Sequence, residues 1–361
     1  MKLIHCAGAH LDSPMTTPFP PETARERRRE ARETFLRLAE YARRENVAAV
    51  LIAGGLFDGK NVTASTVDAV LNAVSAARDV DFLYVRENRD ETSRAFAGRT
   101  LPENLKLFSN QWDYYNYGNV TIAGAEPGGK KSVWQDLSLT FDRVNIVLLH
   151  GVSNEQPGGT IPITMLRGRR VRYLALGGQS AFQTGALDLE GNLCDCGFLE
   201  GRGFDESGEK GFVLLDVDEK QKRVRWNFVP FARRALYDLS VDIGERETEA
   251  ELLTALEQAA AKVNASPESL IRFTLKGSAA PGGWKNIAAL EKEMDSRFSY
   301  VEIRDRSYAD TDPASYEHDV SLRGELIRLV RTSSLERDEQ ERILRCGLQA
   351  LRGVRWEDLE L

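Results

Sequence analysis

The chain has 361 residues, 42% hydrophobic and 29% charged, with a formal net charge of −7. That length accommodates two domains, the composition is that of an ordinary globular protein, and no apolar run approaches the roughly 18 residues that cross a bilayer. The negative balance argues against a protein that coats nucleic acid through its overall field and leaves phosphate contacts to local basic faces.

In chain order, KLIHC reads as a strand. The segment RERRREARETFLRLAEYARR (25–44) reads as a helix with Phe35, Leu38, Ala39 and Ala42 on one face and arginines interleaved with glutamates, a pattern open to a solvated face or a DNA-facing one. VAAVLIAG (47–54) is a buried strand, STVDAVLNAVSAAR a helix and DFLYV the next strand. WDYYNYGNVTIAGAEP is hairpin-like, VNIVLLH (144–150) and VRYLALG (171–177) are strands, and GFVLLDVD and KRVRWNFV form a β-hairpin across EKQK. Strands and helices alternate through this first half, which predicts an α/β domain over about 1–235.

A small α+β unit is expected over 236–315, from LYDLSVDI, a helix around ETEAELLTALEQAAAKV, SLIRFTLKG, the helix WKNIAALEKEMDSRF and YVEIRD. A helical tail over 316–361 carries Leu322, Leu326, Leu329 and Val330, then Ile343, Leu344, Leu348 and Leu351, at helical spacings. Such stripes suit packing on the chain itself or docking onto another. Cys6, Cys194, Cys196 and Cys346 have neither disulfide nor zinc spacing, and MKLIHCAGAH enters a strand with no signal-like apolar segment. The cytoplasm is the expected compartment.

In α/β sheets chemistry collects at the carboxyl ends of strands. The residues that follow the strands here are AGAH (7–10), GGLFDG (54–59), RENRDE (86–91), HGVSN (150–154) and GGQS (177–180). With their strands, and with EGRGFDESGEKGFVLLDVD (200–218), they resemble the successive motifs of the calcineurin-like metallophosphoesterases, more narrowly the DNA-repair exonuclease subunit of the SbcCD kind. The resemblance covers residues 1 to about 235. It implies a two-sheet sandwich flanked by helices, with a small capping domain and a helical tail. It also implies two Mn²⁺ or Mg²⁺ ions that activate water against a phosphodiester, and an SMC-like ATPase as partner.

The ligand set of that family is incomplete here. Its Asp-x-His is Gly8-Ala9-His10, its Gly-Asp-x-x-Asp is Gly54-Gly55-Leu56-Phe57-Asp58, and its Gly-Asn-His-Asp is Glu87-Asn88-Arg89-Asp90. His150 stands, whereas Gly-His-x-His has become Gly177-Gly178-Gln179-Ser180. The resemblance therefore leaves His10, Asn88 and His150 as remnant ligands, with losses at Gly8, Gly55, Gly178 and Ser180. Hard divalent ions prefer anionic oxygen sites, and two side by side without a bridging carboxylate repel. No cofactor is therefore expected. Glycines at 8 and 55 would relieve two facing carboxylates left without metals. Arg89 then supplies a fixed cation beside Asp58 or Asp90, for a salt bridge or for a phosphate.

His10 and His150 suit hydrogen-bonded core roles or a residual single-metal site, and Asp58 and Asp90 suit bracing of their loops. Cys194-Asp195-Cys196 stands where the family has a Tyr-Pro-Gly turn, and Phe198 where a small polar residue is usual. Three functions follow as expectations. The first is a non-catalytic scaffold docked by its tail on an SMC-like ATPase, reaching DNA through that complex. The others are a phosphodiesterase or nuclease rebuilt around His10, Arg89 and His150 with one metal or none, and a phosphate or nucleotide sensor. Homodimerisation is compatible with each.

Overall fold

A computed structural model of the chain describes residues 1–58, 60–87, 92, 94–126, 134–244, 248–279, 286–309 and 320–351. The chain divides into two compact units, Met1–Tyr237 with Glu268–Leu270, and Asp238–Pro267 with Ile271–Leu361.

The first unit is a mixed α/β sandwich of two six-stranded sheets. One sheet runs in the order β12 (Arg223–Pro230), β11 (Gly211–Asp218), β1 (Lys2–Cys6), β2 (Ala49–Ala53), β3 (Asp81–Val85) and β4 (Leu105–Leu107). The other runs β5 (Asp113–Tyr117), β6 (Val120–Gly124), β7 (Val144–His150), β8 (Val171–Gly177), β10 (Asn192–Asp195) and β9 (Gln183–Ala186). β1 pairs in parallel with β2 and antiparallel with β11, and β7 pairs in parallel with β6 and β8. Strands covered on both faces read as continuous hydrophobic runs, and all five residues of AVLIA in β2 are buried.

The core between the sheets holds Leu3, Leu51 and Leu83 from one sheet and Ile122, Ile146 and Tyr173 from the other. On the outer face of the first sheet, α1 (Pro21–Arg44) contributes Phe35 and Leu38, and α2 (Ala64–Ala76) contributes Val67 and Val70. The outer face of the second sheet is covered by Ile161, Leu166 and the 3-10 turn Ile163–Met165. α1 begins with proline in its first turn, where the missing N–H costs no bond, and ends with Arg43 and Arg44 at the negative end of its dipole. Its arginines are not all solvated: Arg27 is 1% exposed.

β13 (Leu236–Asp242), β14 (Leu270–Lys276) and β16 (Tyr300–Asp305) form a three-stranded sheet, which belongs to the second unit from Asp238 and Ile271 onward. Between them lie α3 (Glu249–Lys262), which opens with a Thr248/Glu251 capping box, and α4 (Ile287–Asp295). A two-residue parallel pair joins β15 (Ser278–Ala279) to β17 (Tyr308–Ala309). In the tail, α5 (Leu322–Arg331) and α6 (Arg337–Ala350) pack on each other through Ile327, Val330 and Leu344, with Leu326 and Leu348 alongside. The predicted stripe is thus divided. Leu322 and Leu329 are 69% and 62% exposed, so part of it faces outward.

Candidate functional site

The loops after β1, β2, β7 and β8 converge at one edge of the sandwich and are joined there through their backbones. Gly8 N donates to Gly54 O at 3.2 Å, His10 N to Gly55 O at 2.7 Å and Gly151 N to Gly177 O at 2.9 Å. Gly8, Gly54 and Gly55 have φ of +59°, +88° and +64°, a region glycine enters without steric cost. The same contacts gather most of the candidate residues. A Cβ on Gly55 would lie 2.9 Å from Gly8 Cα and 3.1 Å from His10 Cε1, and one on Gly178 would lie 2.8 Å from Gly151 C, next to His150. Positions 8 and 55 therefore lie against each other. Asn88, Arg89 and Asp90 lie outside the described residues.

Phe198 fills the place a carboxylate at position 8 would need. A Cβ on Gly8 would lie 2.1 Å from Phe198 Cδ1, inside van der Waals contact, and the ring packs edge-on to His10 at 4.6 Å between centroids. The backbone fixes Phe198 from both sides. Its N–H donates to Ser180 O at 3.2 Å and its carbonyl accepts from Gly211 N at 3.2 Å, so the Ser180 segment braces the aromatic ring's backbone.

His10 is largely buried, and its Nε2 has no hydrogen-bond partner among the described residues. Burial, then the Arg202 cation and His150, lower its pKa to about 3 against a raising influence from Asp58, so the ring is neutral near pH 7. His150 Nδ1 lies 2.9 Å from Ala53 O. A carbonyl only accepts, so Nδ1 carries a proton and, in the neutral ring, Nε2 is bare. Asp58 accepts from Asn61 N at 3.0 Å and Val62 N at 3.1 Å through its backbone carbonyl, which braces its loop.

Three further residues shape the site. Arg202 Nε donates to Glu206 at 2.9 Å and Nη1 to Ser13 Oγ at 3.3 Å, and its guanidinium lies 5.7 Å from the Phe198 ring centre. Lys210, 2% exposed, donates to Ser180 O at 2.6 Å and Ser207 O at 3.2 Å, and burial lowers its pKa. Asp195 accepts from Gln179 N and Gly197 N, each at 3.2 Å, so it holds the turn that follows β8. Burial outweighs those bonds and raises its carboxyl to about 7. Arg202, Glu206 and Lys210 all lie in the quoted EGRGFDESGEK, where three charges at four-residue spacing in a glycine-rich run are the available signal. Asp195 is flanked by Cys194, whose thiol burial pushes up to about 12, so CDC presents protonated sulfurs rather than thiolate ligands.

Two imidazoles do not supply the anionic oxygens that a pair of hard divalent ions requires. Among the described residues no group of three His, Cys, Asp or Glu side chains is placed to hold a metal ion. The described ligand set does not fit a binuclear centre, and the Phe198 ring stands where a side chain at position 8 would enter.

No family model matches the chain, and no curated protein matches it. Among solved structures it is similar to TT1561 of Thermus thermophilus, at 11% identity and TM-score 0.39, over 63% of this chain and 98% of that one. It is also similar to a dimetal phosphatase from Danio rerio, at 13% identity and TM-score 0.37, over 60% of this chain and 92% of that one. Likeness at this level says nothing of substrate or chemistry.

Proposed function

We propose that this chain is a degenerate metallophosphoesterase of the DNA-repair exonuclease kind that serves as a non-catalytic scaffold for an SMC-like ATPase. The observation that carries the reading is Phe198, whose ring takes the space of the carboxylate at position 8 while glycine at position 55 removes the bridge between metals. A change at one position alone would leave an empty ligand site. Here an aromatic ring fills the space, and Arg202 and Lys210 brace the surrounding loops through their hydrogen bonds to Ser13 and Ser180.

In this reading the residues of the strand-end loops hold the scaffold together rather than activate water. Partner binding is supported by the outward leucines Leu322 and Leu329 on α5. Deleting residues 320–361 is expected to abolish co-purification with an SMC-like ATPase, and unchanged co-purification would contradict the docking assignment. In a phosphodiesterase assay with added Mn²⁺ the purified chain is expected to show no turnover above a no-protein control.

One observation favours a second reading. His10 Nε2 has no hydrogen-bond partner among the described residues and His150 is close enough to act on it electrostatically, which leaves a phosphodiesterase rebuilt around His10, Arg89 and His150, with one metal or none, as the alternative. In that case turnover would be present and His150→Ala would remove it. Sustained turnover in the variant would eliminate this arrangement.

A further inference from the structure

A cavity of about 180 Å³ opens between α1 and the segment that follows β12, apart from the strand-end loops. Four guanidiniums and three carboxylates line it. The carboxylates are already engaged. Arg234 reaches Glu26 and Glu30 at 2.7 Å each, and the buried Arg27 beneath takes the other oxygen of Glu30 at 2.6 Å. Glu33 lies on the outer rim, 3.5 Å from Arg29.

The other two guanidiniums have no carboxylate within ion-pair distance among the described residues. Arg37 is fixed by donating to Phe231 O at 2.8 Å and Thr34 Oγ1 at 3.1 Å, and its guanidinium stacks 4.7 Å from the Phe231 ring centre. The backbone N–H of Arg233 is anchored on the Glu200 carboxylate at 3.1 Å, so its exposed side chain starts from a fixed point on the rim. The lining thus has one guanidinium more than carboxylates, one of its cations is preorganised, and its donors are not consumed. Planar forks of this kind match the oxygens of a phosphate.

We propose that this cavity binds a phosphate group, held between Arg37 and Arg233. The group comes from a nucleic-acid backbone or from free phosphate, and the two sources are separable. The inference does not rest on the function proposed for the strand-end loops.

The test uses the full chain, with inorganic phosphate followed by calorimetry and a short DNA duplex followed by fluorescence anisotropy at several salt concentrations. Arg233→Ala is expected to weaken binding about tenfold, and for DNA to lower the salt dependence by about one counterion. Arg29→Ala, at the outer rim, gives a second variant should Arg233→Ala fold poorly, and is expected to weaken binding in the same direction. Arg225→Ala, an exposed arginine on β12 outside the cavity, controls for general charge and is expected to leave binding unchanged. Loss of binding to both probes in Arg233→Ala assigns free phosphate as a sufficient ligand, and loss confined to DNA assigns the backbone. The proposal is overturned if the wild-type chain binds neither probe, or if Arg233→Ala and Arg225→Ala affect binding equally.

Discussion

At Gly8 a hydrogen atom faces the Phe198 ring, and any side chain there meets both that ring and a left-handed backbone. Gly8→Asp alone is therefore expected to destabilise the fold by about 3 kcal/mol. In a Phe198→Ala background the cost of the same change should fall to about 1 kcal/mol, the backbone component. Denaturant midpoints of the four chains in this double-mutant cycle measure the coupling, and additive effects would remove Phe198 from the account. Titration behaviour gives a second prediction. His10 and His5 have folded pKa values of about 3, below their ordinary 6.5, so their contribution to stability is full above pH 6.5 and is lost as pH falls toward 3. Asp195 is raised to about 7, so its contribution is present below about pH 4 and is lost as pH rises through 7. His10→Phe should reduce the acid-side slope of stability against pH by one proton, and Asp195→Asn should flatten the neutral side. A wild-type slope in either variant would contradict the assignment. The resemblance singles out the glycines at 8 and 55 as places where carboxylates would be expected, and the structure shows both in left-handed backbone. Phe198 stands out in the sequence only as an unusual residue; that its ring meets Gly8, and that Arg202 lies beside it, is not legible there because only the tertiary fold brings that distant segment to the site.

The elements were legible where their burial is simple. β2 and β7 are nearly continuous hydrophobic runs, and β11 and β12 declare themselves by flanking a short polar turn. β9 escapes such a reading because its sequence QTGA is wholly exposed, and β4 because three residues carry no period. α1 shows the other limit. Its apolar face was predicted, but periodicity counts hydrophobic residues and does not see that Arg27 and Glu30 lie on the buried side. Arg27 sits 2.6 Å from Glu30 and 3.3 Å from Glu200, and donates to Gly201 O at 2.8 Å, so it ties α1 to the loop that carries the site residues. Arg27→Ala leaves two buried carboxylates short of a partner and is expected to cost about 3–5 kcal/mol, read as a shift in the urea midpoint. A loss below about 1 kcal/mol, the usual worth of a surface pair, would place this network at the surface energetically. In the second unit Thr248→Ala removes a capping-box acceptor and should cost about 1 kcal/mol.

At the scale of the molecule, alternation of strand and helix predicts an α/β domain and the motif resemblance implies a two-sheet sandwich; the structure has both, with the strand-end loops assembled at one edge. The division falls at Tyr237/Asp238, with the three residues Glu268–Leu270 returning to the first unit, a crossing that composition does not mark. No helix among the described residues is long and apolar enough to cross a membrane. Among the described residues the strand-end site holds two imidazoles, the Phe198 ring, and Arg202 and Lys210 bonded to neighbouring groups, and no three metal-ligating side chains come together as a two-metal centre needs. The most direct measurement is metal content. The purified chain is equilibrated with excess Mn²⁺, freed of unbound ion and assayed by elemental mass spectrometry. The account predicts no retained manganese, whereas two ions per chain would contradict it and return metal-dependent phosphodiester cleavage to the site.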